Sequence, residues 1–333
     1  SRQTTTYSYF CLNAFESMVR LVVLLILIAP EIAAQNPVDI REQLAIDIGG
    51  IKQWISISGT NSRNPVLLFL HGGPGNSVMS YADNFTSELQ KKFVVVQWDQ
   101  RESGKTAELN DSEKPVTVAL MEQDAVEVIH YLRSRFSQDK IFLMGHSWGG
   151  FLGMMVALHY PELLHAYVAV CPMVNQLESE RRSLQWMENK AKQDNKEEAI
   201  RELAIVEIPF RGGDQLYYHR SWLARMMGNK PSSKGVVEAW ALKWLSLYNE
   251  ACAVNFFQVA PELKCPVYFF VGTNDLQTNW KITRDYQEIL KAPRKAIFIF
   301  ENTGHSLNFK EPKKFQETVL KEILPLAGNR VSQ

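Results

Sequence analysis

Short apolar runs alternate with stretches of helical hydrophobic spacing along most of this 333-residue chain. A continuous apolar run that ends in a turn is typical of a strand buried on both faces of a sheet. Such runs lie at 65–75, 93–104, 140–147, 166–172, 265–275 and 295–305. Apolar residues recur at helical spacing at 118–136, and segments after 147, around 279–291 and from 312 also favour helices. This alternation predicts a parallel sheet with right-handed crossovers.

Two strand-like segments precede the alternation. The sequences "QLAIDIGG" (43–50) and "IKQWISISG" (51–59) mix apolar and polar residues, and each ends in glycine. This pattern favours an antiparallel hairpin at the start of the folded chain.

The strand–helix rhythm stops in the middle of the chain. Residues 174–263 contain no strand-like run, are rich in aromatic residues and favour helices. We therefore expect an α/β core, with a mostly parallel twisted sheet and helices on both faces, formed by residues 35–173 and 264–333. Residues 174–263 would be a helical cap inserted between two strands of that sheet.

The N-terminal segment reads "MVRLVVLLILIAPEIAAQNPV" from Met18 and differs from the rest. Arg20 precedes the apolar stretch 21–29, which is shorter than the ~20 residues that span a bilayer as a helix. The stretch fits the apolar region of a secretory signal, with cleavage near Gln35. We expect residues 1–34 to be a leader and the protein to be exported; a retained membrane anchor or a cytoplasmic protein is the alternative.

Composition narrows the range of partners. The chain has 36 Lys and Arg residues and 36 Asp and Glu residues, so its formal net charge is zero and a nucleic-acid partner is not expected. Past the leader, the odd count of Cys171, Cys252 and Cys265 allows at most one internal disulfide. No His or Cys cluster has metal-ligand spacing, so we expect no metal and no cofactor. No stable membrane partner is expected after leader cleavage.

One segment, "MGHSWGGF" (144–151), carries the candidate nucleophile. Ser147 stands where a buried strand is followed by a helix, and such a sharp turn exposes the hydroxyl above the carboxyl ends of the strands. Gly145 and Gly149 suit a turn in which the strand and helix backbones pass too close for side chains. Without partners, however, the segment would equally fit a glycine-rich turn that merely packs.

A serine hydroxyl needs a base, and the base needs a carboxylate to orient it. Proteins that use this turn place the acid and then the histidine after the serine. Asp275 ends one downstream strand and His305 follows the next, so both would meet Ser147 at one edge of the sheet. Asn274 carries no charge, and Asp285 would lie inside the following helix.

Backbone N–H groups are expected to stabilise the oxyanion. Trp148 follows the nucleophile and supplies one of them. The other would come from the turn "HGGPG" (71–75), with Gly73 as the first choice and Gly72 as the second. We expect His71 to support this turn rather than act as a second base.

These segments resemble the proline iminopeptidase group of α/β-hydrolases. "HGGPG", "WDQRESGKT", "GHSWGG", "GTND" and "TGHS" occur in the order typical of that group, over about residues 40–325. The resemblance implies the α/β-hydrolase fold with a helical cap, a cofactor-free serine hydrolase, and release of an N-terminal residue, often proline, from peptides. By position it implies that Ser147, Asp275 and His305 form the catalytic triad and that Gly73 and Trp148 donate to the oxyanion.

The sequence departs from the family pattern in two places. One is the turn after the second buried strand, and the other is the position expected to bind the substrate's amine. Glu102 stands where the family often has glycine, and Thr106 stands for a serine. The family places a glutamate after a tryptophan of the cap to hold the substrate's amine. Here the matching segment is "AWALKWLSLYNE", in which Trp244 precedes Leu245 at the expected acid position.

Another cap carboxylate would have to bind the amine. Glu207 is our first choice, because "IVEIPF" places it among apolar residues; Asp214 and Glu250 are the other candidates. Glu207 and Trp244 are thus expected to contact substrate.

The leading hypothesis is an exported aminopeptidase of the proline iminopeptidase type that acts on small peptides through an acyl-enzyme. A carboxylesterase or lactonase that uses the same machinery is the second, favoured if no cap carboxylate faces the pocket. A non-catalytic binding protein on a hydrolase fold is the third, since fold does not fix function.

Overall fold

The computed structural model of the protein describes residues 38–111 and 115–328. The expected leader, residues 1–34, lies outside the described residues. Among the residues that the structure describes, no helix is long and apolar enough to cross a membrane.

The described residues form one eight-stranded sheet. Its strands, in chain order, are β1 (Ile40–Ile48), β2 (Ile51–Gly59), β3 (Val66–Leu70), β4 (Val94–Asp99), β5 (Ile141–His146), β6 (Leu164–Val170), β7 (Val267–Gly272) and β8 (Lys295–Phe300). The order across the sheet is β1-β2-β4-β3-β5-β6-β7-β8. The pairs β1–β2 and β2–β4 are antiparallel, and all later pairs are parallel. The predicted hairpin and parallel sheet are both present.

Helices separate most of these strands. In chain order they are α1 (Asp83–Thr86), α2 (Gly104–Leu109), α3 (Val118–Arg135), α4 (Trp148–His159), α5 (Gln176–Gln193), α6 (Glu197–Leu203), α7 (Gly213–Met226), α8 (Lys234–Cys252), α9 (Phe256–Val259), α10 (Trp280–Ile289), α11 (Leu307–Lys310) and α12 (Pro312–Thr318). A π-helical turn, Val319–Ile323, and a 3₁₀ turn, Leu324–Ala327, continue α12.

Alternate side chains of the central strands feed two separate apolar layers. In β3, Leu68 packs in a layer that includes residues of α3, α4 and α10. The preceding residue, Leu67, packs in a second layer with residues of α1 and α12, including Phe85 and Phe315. Both faces of the sheet are therefore covered by helices, which explains why the strands read as continuous apolar runs.

Helices α5 to α9 lie between β6 and β7; the bounds 174–263 of the inserted cap stay a prediction. The first of them begins at an Asn175 cap, whose side chain accepts a hydrogen bond from the N–H of Glu178. Part of this cap has an apolar cluster of its own, including Met187 of α5 and Trp222 of α7. The cap is thus packed internally as well as against the core.

Candidate active site

Ser147 sits in the sharp turn between β5 and α4. Its backbone is left-handed, with φ 57° and ψ −116°, and this strained conformation is typical of functional turns. A Cβ on Gly145 would lie 2.0 Å from the carbonyl oxygen of Gly149, and one on Gly149 would lie 2.1 Å from that of Leu70. The flanking glycines are therefore required by the close approach of the backbones.

The structure brings Ser147, His305 and Asp275 into one hydrogen-bonded chain. Ser147 Oγ donates to His305 Nε2 at 2.9 Å. His305 Nδ1 donates to Asp275 Oδ2, also at 2.9 Å. Asp275 follows β7 and His305 follows β8, so both come from carboxyl ends of neighbouring strands. This is the arrangement that makes a serine nucleophilic.

Asp275 is buried but remains a carboxylate. Burial alone would raise its pKa, but His305 and the donors of Thr278 outweigh burial and lower the pKa to about 2. Thr278 donates its N–H to Oδ1 at 3.0 Å and its hydroxyl to Oδ2 at 2.8 Å, and Gln277 N–H donates to Oδ1 at 2.9 Å. The acid is thus held in one orientation and charged at neutral pH.

The expected oxyanion residues flank Ser147. Gly73 lines the same cavity as Ser147, and a Cβ on Gly72 would lie 3.2 Å from Ser147 Cβ. Trp148 is the first residue of α4, and the first N–H groups of a helix have no partner within it. Both predicted donors are therefore beside the nucleophile, and their role stays a prediction.

His71 supports the turn of Gly72 and Gly73, as expected. Its Nδ1 donates to the carbonyl of Gly72 at 2.9 Å, and its Nε2 accepts from the N–H of Gln100 at 3.2 Å. Burial lowers the pKa of His71, which keeps the ring neutral. Gln100 also receives the indole N–H of Trp148 at 2.9 Å, so one side chain joins both oxyanion segments.

A cavity of about 380 Å³ opens from Ser147 beneath the cap. Its apolar walls come from Met173, Leu216, Val236, Val237 and Trp240. Arg220 and Lys230 are the charged residues among the described ones that line it, and neither Asp nor Glu is among them. The cavity therefore fits a small acyl group, and its wall carries no carboxylate.

The expected amine-binding carboxylates lie elsewhere. Glu207 is on the surface, where its side chain is 51% exposed and pairs with Arg211. Asp214 is exposed at the start of α7. Glu250 accepts from the N–H of Val118 and caps α3. None of the three lines the cavity beside Ser147, so the placement expected for Glu207 is wrong.

The tryptophan that lines the cavity is one helical turn from the expected one. Trp244 is buried against the glycine turn, where a Cβ on Gly75 would lie 2.4 Å from its Nε1. Trp240 lines the cavity and donates its indole N–H to the carbonyl of Pro74 at 2.8 Å. Residues four apart share a helix face, so Trp244 lies next to a residue that lines the cavity, and its contact with substrate stays a prediction.

A buried ion pair forms the back of the cavity wall. Arg220 Nη1 and Nη2 donate to the two oxygens of Glu180 at 2.7 and 2.5 Å, and Tyr248 donates to the same carboxylate. Burial alone would raise the pKa of Glu180, but Arg220, with help from His219 and Tyr248, lowers it to about 2. The charge of Arg220 is therefore compensated on the side away from the cavity.

A second cavity, of about 580 Å³, lies on the His305 side of the triad. His305, Asn274 and Lys310 are among its walls, and Arg220 lines both cavities. A leaving group takes its proton from the histidine, so this cavity suits the leaving group and the Ser147 cavity suits the acyl group.

His146, Cys171 and His305 bring three potential metal-ligand atoms within 4.8 Å of one another. Both nitrogens of His305 serve the triad, and His146 Nε2 donates to the carbonyl of His305. Burial raises the pKa of the Cys171 thiol well above its usual range, whereas a metal needs the thiolate. The hydrogen bonds of these groups fit a hydrolase triad better than a metal site.

Glu102 stands in the turn after β4, where the family often has glycine. Its φ is 62°, a conformation that glycine adopts at low cost. Lys243 of α8 donates to its carbonyl and pairs with its carboxylate, both at 2.9 Å. These contacts join the turn to the cap. The other substituted residue, Thr106, accepts from the N–H of Trp54 and donates to the carbonyl of Asp99.

Sequence reasoning missed Gln176, Arg220, Tyr248 and Trp240 in the cavity wall. All four belong to cap helices, whose sequence shows which residues are polar but not which helix face meets the core. The contact between Asp275 and Gln277 could have been found, because the side chain of a turn aspartate often accepts from the backbone N–H two residues on.

A family model described as alpha/beta hydrolase fold matches residues 65–312. The chain is 32% identical over 301 residues to "Probable aminopeptidase YbaC" of Bacillus subtilis (strain 168), which covers 82% of this chain and 93% of that protein. It is 23% identical over 286 residues to a proline iminopeptidase of Heyndrickxia coagulans, covering 81% and 94%.

Among solved structures, the chain is similar to a proline iminopeptidase-related protein from Thermus thermophilus. The TM-score is 0.59 at 23% identity, over 86% of this chain and 98% of that one. The proline iminopeptidase of Mycobacterium smegmatis gives a TM-score of 0.57 at 18% identity, over 84% and 96%. The predicted fold is confirmed, and so is the resemblance to the proline iminopeptidase group.

Proposed function

Because the chain belongs to the α/β-hydrolase family, we propose that this hydrolase uses Ser147 as its nucleophile and forms an acyl-enzyme. The observation that carries the proposal is the pair of 2.9 Å hydrogen bonds that link Ser147 to His305 and His305 to Asp275. His305 takes the serine proton as the hydroxyl attacks, and then gives it to the leaving group. Asp275 fixes the ring and stabilises its positive charge.

The backbone N–H groups of Gly73 and Trp148 are proposed to hold the oxyanion. Each such donor typically contributes about 3 kcal/mol to the transition state. The support for this assignment is their position beside Ser147. In addition, the Gln100 amide donates to the carbonyl of His71 and accepts from the indole N–H of Trp148, which limits movement of one segment relative to the other. A water then attacks the acyl-enzyme with His305 as base, and the serine is regenerated.

The substrate we propose is a small peptide or aminoacyl amide from which an N-terminal proline-like or small apolar residue is released. The names of the relatives support an aminopeptidase. The acyl cavity of about 380 Å³ supports a proline-like or small apolar residue, because Met173, Leu216 and Trp240 give it apolar walls and Ser147 lines it too. The cavity on the His305 side, lined in part by Asn274, Gln277 and Lys310, suits the rest of a peptide.

A carboxylesterase or lactonase is the second candidate. The specific observation in its favour is that no Asp or Glu is among the described residues that line the acyl cavity. Glu180 lies behind that wall and is neutralised by Arg220. A free ammonium group therefore finds no direct carboxylate partner there.

A fluorophosphonate probe tests the nucleophile and separates a hydrolase from a non-catalytic binding protein. We expect stoichiometric labelling, with the adduct on Ser147 in the peptide map, and no labelling of Ser147→Ala. Absence of labelling of the unchanged protein would overturn the proposal. A panel of alanyl and prolyl arylamides, their N-acetylated forms and short-chain esters then separates the two substrate classes. Equal rates on free and acetylated arylamides would leave only the esterase candidate.

We also propose export, supported by the signal-like pattern from Met18 to Ala34. Sequencing of the N-terminus of the protein isolated from its native host should find a start near Gln35. A protein that retains residues 21–29 would exclude leader cleavage.

A further inference from the structure

Two buried polar atoms on the wall of the acyl cavity have no hydrogen-bond partner. Gln176 Oε1 belongs to the first residue of α5, and Ser221 Oγ belongs to α7. Both residues line the cavity that Ser147 lines, and they are 1% and 4% exposed. A buried polar atom without a partner typically costs about 1–3 kcal/mol. Two such atoms on one cavity therefore point to a ligand that satisfies them.

The orientation of the Gln176 amide is fixed by its other atom. Nε2 donates to Glu180 Oε1 at 2.7 Å and to the backbone carbonyl of Gln277 at 2.8 Å. Both partners are acceptors, so a flipped amide would place its oxygen against two other oxygens. Oε1 is therefore an acceptor that only a further donor can satisfy.

The charges around the cavity decide which donor fits. Arg220 and Lys230 line it, and the carboxylate of Glu180 is shared by Arg220, Tyr248 and Gln176 itself. An ammonium ion would thus meet a neutralised ion pair, the exposed Lys230 and a neutral amide, without a carboxylate in contact. A neutral amine suits this wall better, because it donates N–H to an amide oxygen and has a lone pair that accepts from a hydroxyl.

We propose that Gln176 and Ser221 form the amino-group subsite for the N-terminal residue of the substrate, and that they bind the amine in its neutral form. Gln176 Oε1 accepts an amine N–H, and the Ser221 hydroxyl donates to the nitrogen. Because both atoms have almost no exposed surface, binding includes a small movement of the cavity wall that uncovers them and keeps the Gln176 amide in its orientation. This inference rests on the proposed aminopeptidase function and names the residues that bind the substrate's amino group.

The test compares two substrates that differ only in the amino group, alanyl p-nitroanilide and propionyl p-nitroanilide. We expect the unchanged protein to prefer the alanyl substrate in kcat/KM. Gln176→Met removes the acceptor at similar volume, and Ser221→Ala removes the hydroxyl. Each variant should lower the alanyl-to-propionyl ratio of kcat/KM by roughly 3- to 10-fold, which corresponds to one neutral hydrogen bond.

Gln97→Met is the matched control. Gln97 in β4 is buried and its amide has no partner, but it lines a different cavity. The control should keep the wild-type ratio. Thermal melts show whether the Gln176 variant is folded, and Ser221→Ala provides a test with a smaller change.

The pH dependence of the same ratio tests the neutral amine, since ionisations of the enzyme that affect both substrates cancel. The ionisable groups around this wall are Glu180 of α5, His219 and Arg220 of α7, Lys230, Tyr248 of α8, and Asp275 with His305 after β7 and β8. The ratio should rise with pH through the pKa of the substrate amine, near 8. A ratio that falls over this range would show that the ammonium binds, and would overturn the inference.

The two proposals fail differently. If the unchanged protein hydrolyses the alanyl and propionyl substrates equally well, the aminopeptidase function is wrong. If it prefers the alanyl substrate and both variants keep that preference, the function stands and the assignment to Gln176 and Ser221 is wrong.

Discussion

His146 Nε2 donates a hydrogen bond of 2.7 Å to the backbone carbonyl of His305. The residue before the proposed nucleophile therefore holds the loop that carries the proposed base. The two rings lie 4.9 Å apart. Burial, with the nearby charge of His305, lowers the pKa of His146 to about 4, so the tether is neutral at neutral pH. His146 is thus a positioning residue that acts through His305.

Loss of this tether should slow the chemical step. We expect His146→Ala to lower kcat roughly 10- to 100-fold, because a small misplacement of a catalytic group can cost that much. KM should change little, since His146 does not line the acyl cavity. His146→Gln retains an N–H donor and should recover part of kcat. Steady-state kinetics of the two variants check this, and equal rates for His146→Ala and the unchanged protein would contradict it.

The choice of acid is tested by a matched pair of substitutions. Asp275→Asn should lower kcat by roughly 10³- to 10⁴-fold, because the neutral amide no longer orients the histidine or stabilises its charge. Asp285→Asn should have little effect, since Asp285 lies inside α10 and pairs with Arg284 at the surface. A larger loss of activity in the second variant would mean that the acid is misassigned.

Acid should destabilise the cap through His219. This histidine is fully buried; burial, with Arg220 close by, outweighs Glu180 and lowers its pKa to about 4, against 6.5 in the unfolded chain. Between pH 4 and pH 6.5, His219 binds a proton in the unfolded state and not in the folded state. The free energy of unfolding therefore falls as the pH falls from 6.5 to 4. Between pH 7.5 and pH 5, protonation of His219 in the unfolded state should lower the free energy of unfolding by about 2 kcal/mol.

Urea unfolding at the two pH values measures that loss. His219→Gln should show a smaller difference between pH 7.5 and pH 5 than the unchanged protein, because it does not titrate. The exposed His130→Gln is the control and should behave like the unchanged protein. An identical pH dependence in all three proteins would show that His219 is not responsible.

The sheet could be predicted from the sequence because burial on both faces leaves a clear signal. The run 66–70 is buried at every position in β3, and such a run between turns has few other interpretations. The bounds of α3 also follow from local signals, since Thr117 caps its first turn. For the cap, the sequence predicted only that the segment is helical. Its packing depends on contacts with the core, and no local sequence pattern predicts those contacts.

The convergence of Ser147, Asp275 and His305 could be predicted because strand ends meet at one edge of a parallel sheet. Glu207 could not be placed in the same way. Its neighbours Val206 and Phe210 are buried while Glu207 itself is exposed, so apolar neighbours in sequence did not mean an apolar environment. The buried carboxylate of the cap is Glu180, which the charged segment "LESERR" gave no reason to separate from its surface neighbours.

The same substitution at these two glutamates should therefore lower stability by very different amounts. Glu207→Gln breaks only a surface ion pair with Arg211, and such pairs contribute about 0–1 kcal/mol. Glu180→Gln leaves Arg220 without its carboxylate in a buried site, and loss of one partner of a buried pair typically costs about 3–5 kcal/mol. Urea unfolding of both variants at neutral pH checks the difference.

Glu207→Gln should also keep the wild-type kcat/KM on alanyl p-nitroanilide, because the Glu207 side chain does not line either cavity beside the triad. A strong loss of that activity would restore Glu207 as the amine-binding residue and remove the need for Gln176 and Ser221.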